Sequence, residues 1–154
     1  MWHEEIDLDR IRELLKNHDL PYEDLVTSTV NFITLEDDGQ LIGCIGLEQY
    51  GRDGLLRSFA VAPTHQHKGI GSKLLAQFLE AAKVAGIARL HLLTTTANHY
   101  FAKHGFQVTD RSQAPASISS TAEFASICPA SAVYMIRDLS NGKRSILYPG
   151  QPDQ

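Results

Sequence analysis

A strand, a glycine loop, a helix and a second strand follow one another between residues 55 and 95, and this order constrains the fold most. The apolar run "LLRSFAVA" stops at Pro63. From Ile70 to about Ala85 apolar residues recur at helical spacing, and Gly86 supplies the stop. The compact run "ARLHLLTT" then predicts a strand buried on both faces. A strand–helix–strand unit implies that the sheet contains a parallel pair.

The residues before this unit predict an antiparallel meander. "TVNFITLE" and "QLIGCIGLEQ" are β-rich runs separated by Asp37-Asp38-Gly39, a strong hairpin signal, and "LLRSFAVA" is the third strand. Helical spacing of apolar residues predicts a first helix over 7–17 and a short helical segment over 21–25. The first half of the chain therefore combines helices with an antiparallel sheet.

The residues after this unit predict smaller elements. "ANHYFAKH" is a short helix closed by Gly105, "FQVTD" and "AVYMIRDL" are strands, and "STAEFAS" favours a helix. The expected fold is α/β with a mixed sheet, in one domain over residues 1–154. Its core spans about residues 5–139, and residues 140–154 form a loose tail.

Composition excludes several classes of protein. A net charge of −4 without a basic tract argues against nucleic-acid binding. No apolar run approaches the roughly 18 residues of a membrane span, and the polar, acidic first ten residues are unlike a secretory signal. Cys44 and Cys128 lie outside any C-x-x-C pattern, which favours reduced thiols and a cytoplasmic location.

The glycine loop between the third strand and its helix has the pattern Gln66-x-x-Gly69-x-Gly71. The dinucleotide pattern G-x-G-x-x-G would need glycine at Leu74, and the spacing of a P-loop is absent. Glycines let backbone N–H groups converge on an anion, and a helix N-terminus adds partial positive charge. The loop therefore fits a pyrophosphate site, although an ordinary strand-to-helix turn explains the same residues.

Two motifs carry a family resemblance. "AVAPTHQHKGIGSKLL" resembles the acetyl-CoA-binding signature V-x-P-x-x-[RQ]-x-x-G-x-[GA] of the GNAT family of N-acetyltransferases, with Gln66, Gly69 and Gly71 at its defining positions. "TTTANHYFAKHGF" is similar to the family's downstream motif. Within the family, "STAEFASICPASAVYM" resembles small acetyltransferases of arsenic-resistance gene clusters and those similar to N-acetylglutamate synthase. Together the motifs identify a GNAT fold.

The resemblance implies acetyl transfer from acetyl-CoA to the amine of a small, amino-acid-like substrate, by direct attack in a ternary complex. It implies a bulge that splays the third strand from its parallel neighbour, with pantetheine lying between the two strands. The cofactor-binding residues that it implies are Phe59, Ala60, Val61, Gln66, His67, Lys68, Gly69, Ile70, Gly71, Ser72, Thr94 and Ala97.

The catalytic residues follow from the resemblance and from chemistry. Glu48 ends an apolar strand where the family often places a base, and three roles stay open for it: base, ligand of the substrate ammonium, or structural partner of Arg57. Arg57 in turn either pairs with Glu48 or clamps a substrate carboxylate. The usual acid tyrosine is replaced by Phe101, so Tyr100 is the candidate general acid.

Other roles are less determined by the sequence. The segment "EFASICPAS" is expected to meet the substrate through Glu123 or Ser131. His65 and His67 have a metal-like spacing but lack a third ligand, so no metal is expected. Two alternatives to a small-molecule enzyme are a protein or peptide acetyltransferase and a non-catalytic acyl-CoA sensor. The sequence also leaves a homodimer open.

Overall fold

A computed structural model of the protein describes residues 8–18, 20, 22, 29–127 and 131–139. The strands are β1 (Asn31–Asp37), β2 (Gln40–Tyr50), β3 (Asp53–Val61), β4 (Arg89–Thr94), β5 (Gln107–Thr109) and β6 (Val133–Asp138). They form one sheet in the order β1-β2-β3-β4-β6-β5. Only β3 and β4 pair in parallel, so the sheet is mixed, as predicted.

Helices cover both faces of this sheet. They are α1 (Leu8–Lys16), α2 (Ile70–Val84), α3 (Asn98–Lys103), α4 (Ala116–Ser119) and a π-helical segment at Glu123–Ile127. Of the predicted helical segment over 21–25 only Tyr22 is described, and the predicted tail over 140–154 lies outside the described residues. None of the helices in the described ranges is long and apolar enough to cross a membrane.

The predicted meander is confirmed by the strand pairing. β1 pairs with β2 and β2 with β3, in both cases antiparallel. The first hairpin turns at Asp38 and Gly39, whose φ angles of 51° and 76° are both positive. Two positive φ values in a two-residue loop give a turn that matches the right-handed twist of the strands. The Asp-Gly pair therefore fixes the register of this hairpin.

Alternating residues of the sheet divide the core into two layers. Ile33, Ile45 and Leu56 pack with the apolar face of α2. Their neighbours along the chain, such as Phe32 and Cys44, pack instead with α1. Successive side chains of a strand point to opposite faces, so α1 and α2 cover opposite sides of the sheet.

The parallel pair separates after a short stretch. Only Asp53 to Leu55 pair with β4, although β3 continues to Val61. The pairing with β2 steps from Ala60 to Arg57 on β3 while β2 advances from Cys44 to Gly46. One extra residue therefore lies on β3, and within this bulge Ser58 has a φ of +58°. A bulge bends and twists its strand, which accounts for the expected splay.

A buried polar chain joins three strands near the start of β3. His91 on β4 is fully buried, with Nδ1 2.7 Å from the Tyr134 hydroxyl and Nε2 2.8 Å from Asp53 Oδ1. Burial raises the pKa of Tyr134 to about 12, so its phenol keeps its proton. A neutral imidazole satisfies the chain, because Nδ1 accepts from Tyr134 and Nε2–H donates to Asp53.

The hydrogen-bonded side chains of Asp53, His91 and Tyr134 predict that the stability of the fold falls in acid. Burial lowers the pKa of His91 from its ordinary 6.5. Above the ordinary pKa, His91 is neutral in both the folded and the unfolded state, and its contribution to stability is intact. As the pH falls through the lowered pKa, the unfolded chain binds the proton more readily, and that contribution is lost.

Urea unfolding between pH 7.5 and 5 should therefore show a smaller loss of stability in His91→Gln than in the wild type. The exposed control His99→Gln should match the wild type, and equal slopes in all three proteins would contradict the expectation.

Candidate active site

A cavity of about 1130 Å³ opens where β3 and β4 separate. Its wall includes Phe59 to Val61 at the end of β3, the start of α2, and Thr94 to Ala97 after β4. Residues at and beyond the end of α1 complete it on the other side. The bulge and the splay thus create a cavity beside the glycine loop.

The loop before α2 presents backbone donors to this cavity. His67 and Gly69 both adopt positive φ angles, of 65° and 80°. Gly69 is the N-cap of α2 and offers no side chain to the N–H groups of the first helical turn. A 15-residue helix carries partial positive charge at this end. The loop is therefore suited to an anion such as a pyrophosphate.

The packing of the fold does not by itself require glycine at position 71. An added Cβ would lie 3.6 Å from the Tyr100 hydroxyl and 3.7 Å from both Phe59 and Val61, which are ordinary contact distances. By contrast, Gly69 needs glycine for its backbone angle. The missing side chain at Gly71 keeps the cavity open beside the helix terminus, and a bound cofactor fits this cradle.

A buried ionic group lies on the opposite sheet face from α2. The Arg57 Nη1 donates to Glu48 Oε2 at 2.7 Å, and its Nε lies 3.3 Å from Glu123 Oε2. The Tyr50 hydroxyl donates to the other oxygen of Glu48 at 2.5 Å. Glu48, Arg57 and Glu123 are 1%, 2% and 3% exposed. Charges buried this deeply depend on one another, since removing one leaves the others uncompensated.

Only part of this ionic group faces the cavity. Arg57 and Glu123 line it, whereas Glu48 is not among the described residues on its wall. Glu48, on β2, meets this group through its hydrogen bond with Arg57. Glu123 is the first residue of the π-helical segment, which places it at the site.

The two neighbouring aromatic residues of α3, Tyr100 and Phe101, both line the cavity but differ in their contacts. Phe101 is 5% exposed and packs edge-on against Phe106 in the core. The Tyr100 hydroxyl lies 3.4 Å from Ser72 Oγ, beside the first turn of α2. Tyr100 is thus the α3 residue whose hydroxyl group lies at the cavity.

A family model for the acetyltransferase (GNAT) domain matches residues 28–108, which is more than half of the chain and runs from β1 through α3. The chain belongs to the GNAT acetyltransferase family. The resemblance that the two motifs carried is thereby confirmed.

Curated relatives in the GNAT family include amino-acid acetyltransferases. That of Neisseria meningitidis serogroup A is 36% identical over 110 residues, covering 70% of this chain and 23% of the relative. That of Ralstonia nicotianae is 38% identical over 78 residues, covering 49% of this chain and 17% of the relative. The chain thus spans less than a quarter of the length of these relatives.

Solved structures confirm the GNAT fold. N-acetylglutamate synthase from Neisseria gonorrhoeae, complexed with coenzyme A and N-acetyl-glutamate, matches 88% of this chain and 34% of its own, with a TM-score of 0.72 and 28% identity. A Mycobacterium tuberculosis protein in complex with CoA matches 90% of this chain and 98% of its own, with a TM-score of 0.72 and 21% identity.

Most residues expected at the GNAT cofactor site do line the cavity. These are Phe59, Ala60, Val61, Gln66, His67, Gly69, Gly71, Ser72, Thr94 and Ala97. Lys68 and Ile70 belong to the same loop but are not among the described lining residues. Gln66 is exposed, and its Nε2 donates to the Val61 carbonyl at 2.9 Å. Thr94 Oγ1 accepts from the Ala97 N–H at 2.9 Å, so it orders the entry to α3.

The remaining candidates have other surroundings. Ser131 is exposed and is not among the described residues on the cavity wall. His65 pairs with Asp37 at 3.0 Å, and the described part of the chain holds no group of three metal-ligating side chains. Burial raises the pKa of the Cys44 thiol to about 12, which makes it unreactive. Cys128 lies outside the described residues.

Sequence reasoning missed the contribution of the α1 end. Lys16, His18, Leu20 and Tyr22 all line the cavity. Periodicity identified the buried face of α1, but it carries no information about side chains beyond the last turn. Among them, both ring nitrogens of His18 lie within hydrogen-bonding distance of backbone carbonyls.

Proposed function

We propose that this GNAT chain transfers the acetyl group of acetyl-CoA to the amine of a small amino acid or amino-acid-like compound. The observation that carries the proposal is a single cavity that joins the glycine loop to the Arg57–Glu123 ion pair. The cavity therefore contains both a loop whose N–H groups suit a cofactor phosphate and a charged site that suits the acceptor. The relatives' names, and the N-acetyl-glutamate bound in the Neisseria gonorrhoeae neighbour, support this choice of acceptor.

The cofactor site uses backbone groups. The N–H groups from His67 to Ser72 would hold the pyrophosphate, and the β3 backbone around Phe59 to Val61 would pair with pantetheine as an added strand does. When bound, acetyl-CoA supplies an activated thioester. The Val61 N–H would stabilise the negative charge that develops on the acetyl oxygen.

The acceptor site follows from charge. Arg57 is among the residues that line the cavity, although its side chain is 0% exposed and paired with Glu48 and Glu123. A substrate carboxylate that entered this ionic group would be bound strongly by the guanidinium. Glu123 lies on the same wall and would take the proton of the attacking amine. Glu48 would position Arg57, because it contacts the guanidinium and is not among the described lining residues.

Tyr100 is the proposed proton donor to the leaving thiolate. Its hydroxyl lies at the cavity beside Ser72, whereas Phe101, at the family's usual tyrosine position, packs in the core. A thiolate is a stable leaving group that needs little protonation, so Tyr100 has a smaller expected effect than Glu123.

Replacement of Glu123 by glutamine tests the base. Glu123→Gln should lower kcat at neutral pH by about 10²-fold or more, because glutamine accepts no proton. The Kd for acetyl-CoA, measured by calorimetry, should stay within about threefold, since the loop amides and not Glu123 bind the pyrophosphate. Glu48→Gln, which changes the other carboxylate paired with Arg57, is the matched comparison and should retain more activity. A larger kcat loss in Glu48→Gln would reverse the two roles.

A thiol-release assay tests the function itself. Acetyl-CoA is offered with amino acids, amino-acid antimetabolites, the corresponding amines without a carboxylate, and short peptides. Turnover of the carboxylate-bearing amines, lost when the carboxylate is removed, is the expected result. Turnover of peptides alone would indicate a peptide acetyltransferase. Coenzyme A binding without turnover on any amine would indicate an acyl-CoA sensor.

A further inference from the structure

The Val61 carbonyl marks the point where β3 turns into the glycine loop. The next residue, Ala62, donates its N–H to the Ile42 carbonyl of β2 at 2.7 Å. All described peptide bonds are trans, so the Val61 carbonyl points to the other side of the strand, away from β2 and towards the cavity. Two side chains meet it there: His18 Nε2 at 2.7 Å and Gln66 Nε2 at 2.9 Å.

His18 is held from the α1 side as well. Its Nδ1 lies 2.9 Å from the Leu14 carbonyl, and its backbone N–H donates to Leu15 at 3.0 Å. Leu14 and Leu15 are buried against the sheet, which fixes this end of the helix. The ring therefore bridges two backbone segments that are distant in sequence, the end of α1 and the end of β3.

These contacts exclude a simple catalytic role for the ring. A histidine on a cavity wall is an obvious candidate base, but Nδ1 of His18 faces the Leu14 carbonyl, and Nε2 faces the Val61 carbonyl and, at 3.2 Å, the Gln66 Nε2 donor. A base needs a lone pair directed at the substrate. The observed geometry directs both nitrogens at the protein.

We infer that His18 is a positioning residue for acetyl-CoA. Together with Gln66, His18 fixes the orientation of the Val61 peptide. That peptide sets the direction in which the chain enters the glycine loop, whose N–H groups hold the pyrophosphate. The inference rests on the proposed function for the identity of the ligand. The bridge from α1 to the loop is independent of that function.

Three variants test the inference: His18→Leu removes both ring contacts, His18→Gln keeps one donor, and His99→Leu is the exposed control. Hydrogen exchange of the residue 66–72 amides in the ligand-free protein is the first readout, and the calorimetric Kd for coenzyme A is the second. In His18→Leu, exchange should accelerate and the Kd should rise, each by up to about tenfold, as expected for a lost part-buried hydrogen bond. The KM for the amine should not change. His18→Gln should recover part of both effects, and His99→Leu should match the wild type.

Several outcomes would overturn the inference. Unchanged exchange of the loop in a folded His18→Leu protein would do so directly. If that variant does not fold, His18→Phe keeps a ring of similar size but removes both nitrogen contacts, and unchanged loop exchange there would count equally against it. Failure of the wild type to bind coenzyme A would remove the proposed function, while the exchange comparison would still decide the role of His18.

Discussion

Replacing Gly71 with leucine is expected to abolish coenzyme A binding while the protein remains folded. An added Cβ would meet Tyr100, Phe59 and Val61 at ordinary contact distances, so the further atoms of leucine must project into the cavity beside the helix terminus. Forcing extra atoms into a packed site costs about 1–3 kcal/mol, and about 2.7 kcal/mol corresponds to a 100-fold weaker affinity. Calorimetry should therefore show an affinity loss of about 100-fold.

Stability distinguishes this effect from misfolding. Glycine inside a helix is less favourable than other residues by up to about 1 kcal/mol, so the Tm of Gly71→Leu should equal or exceed that of the wild type. Gly71→Ala is the graded control and should keep its affinity within about tenfold, because its Cβ makes only ordinary contacts. Retained affinity in Gly71→Leu would mean that the ligand does not use this loop.

Local signals explain how much of the fold the sequence predicts. The Asp38-Gly39 turn, the apolar period of α2 and the stop at Gly86 each act within a few residues, and each is where the sequence placed it. The loop belongs to this class too, because its glycines directly follow a strand and open a helix. Such features are readable because neighbours in sequence determine them.

Long-range pairing explains what the sequence does not predict. β6 inserts between β4 and β5, although β5 precedes it in the chain. The pairing of Arg57 with both Glu48 and Glu123 joins two strands and a π-helical segment. Sequence reasoning found all three charges individually, but which of them face the cavity depends on how these elements pack. The same limit applies to His18, whose ring contacts a carbonyl 43 residues away.

Replacing Arg57 with alanine is expected to destabilise the protein strongly rather than only to raise a KM. The change leaves Glu48 and Glu123 buried, at 1% and 3% exposure, without the guanidinium that lies between them. Breaking a buried ion pair from one side costs about 3–5 kcal/mol. Since whole domains are stable by only about 5–15 kcal/mol, urea unfolding at neutral pH should show a large loss, and the variant should be partly unfolded at 37 °C.

A charge-neutral replacement separates stability from substrate binding. Arg57→Met combined with Glu48→Gln and Glu123→Gln removes all three charges, and apolar or neutral replacements of buried ion pairs are often neutral in stability. The triple variant should recover most of the lost free energy of unfolding and retain coenzyme A affinity, because the glycine loop is untouched. It should nevertheless acetylate no carboxylate-bearing amine. Full activity in the triple variant would show that this ionic group serves the fold alone and that the acceptor binds elsewhere in the cavity.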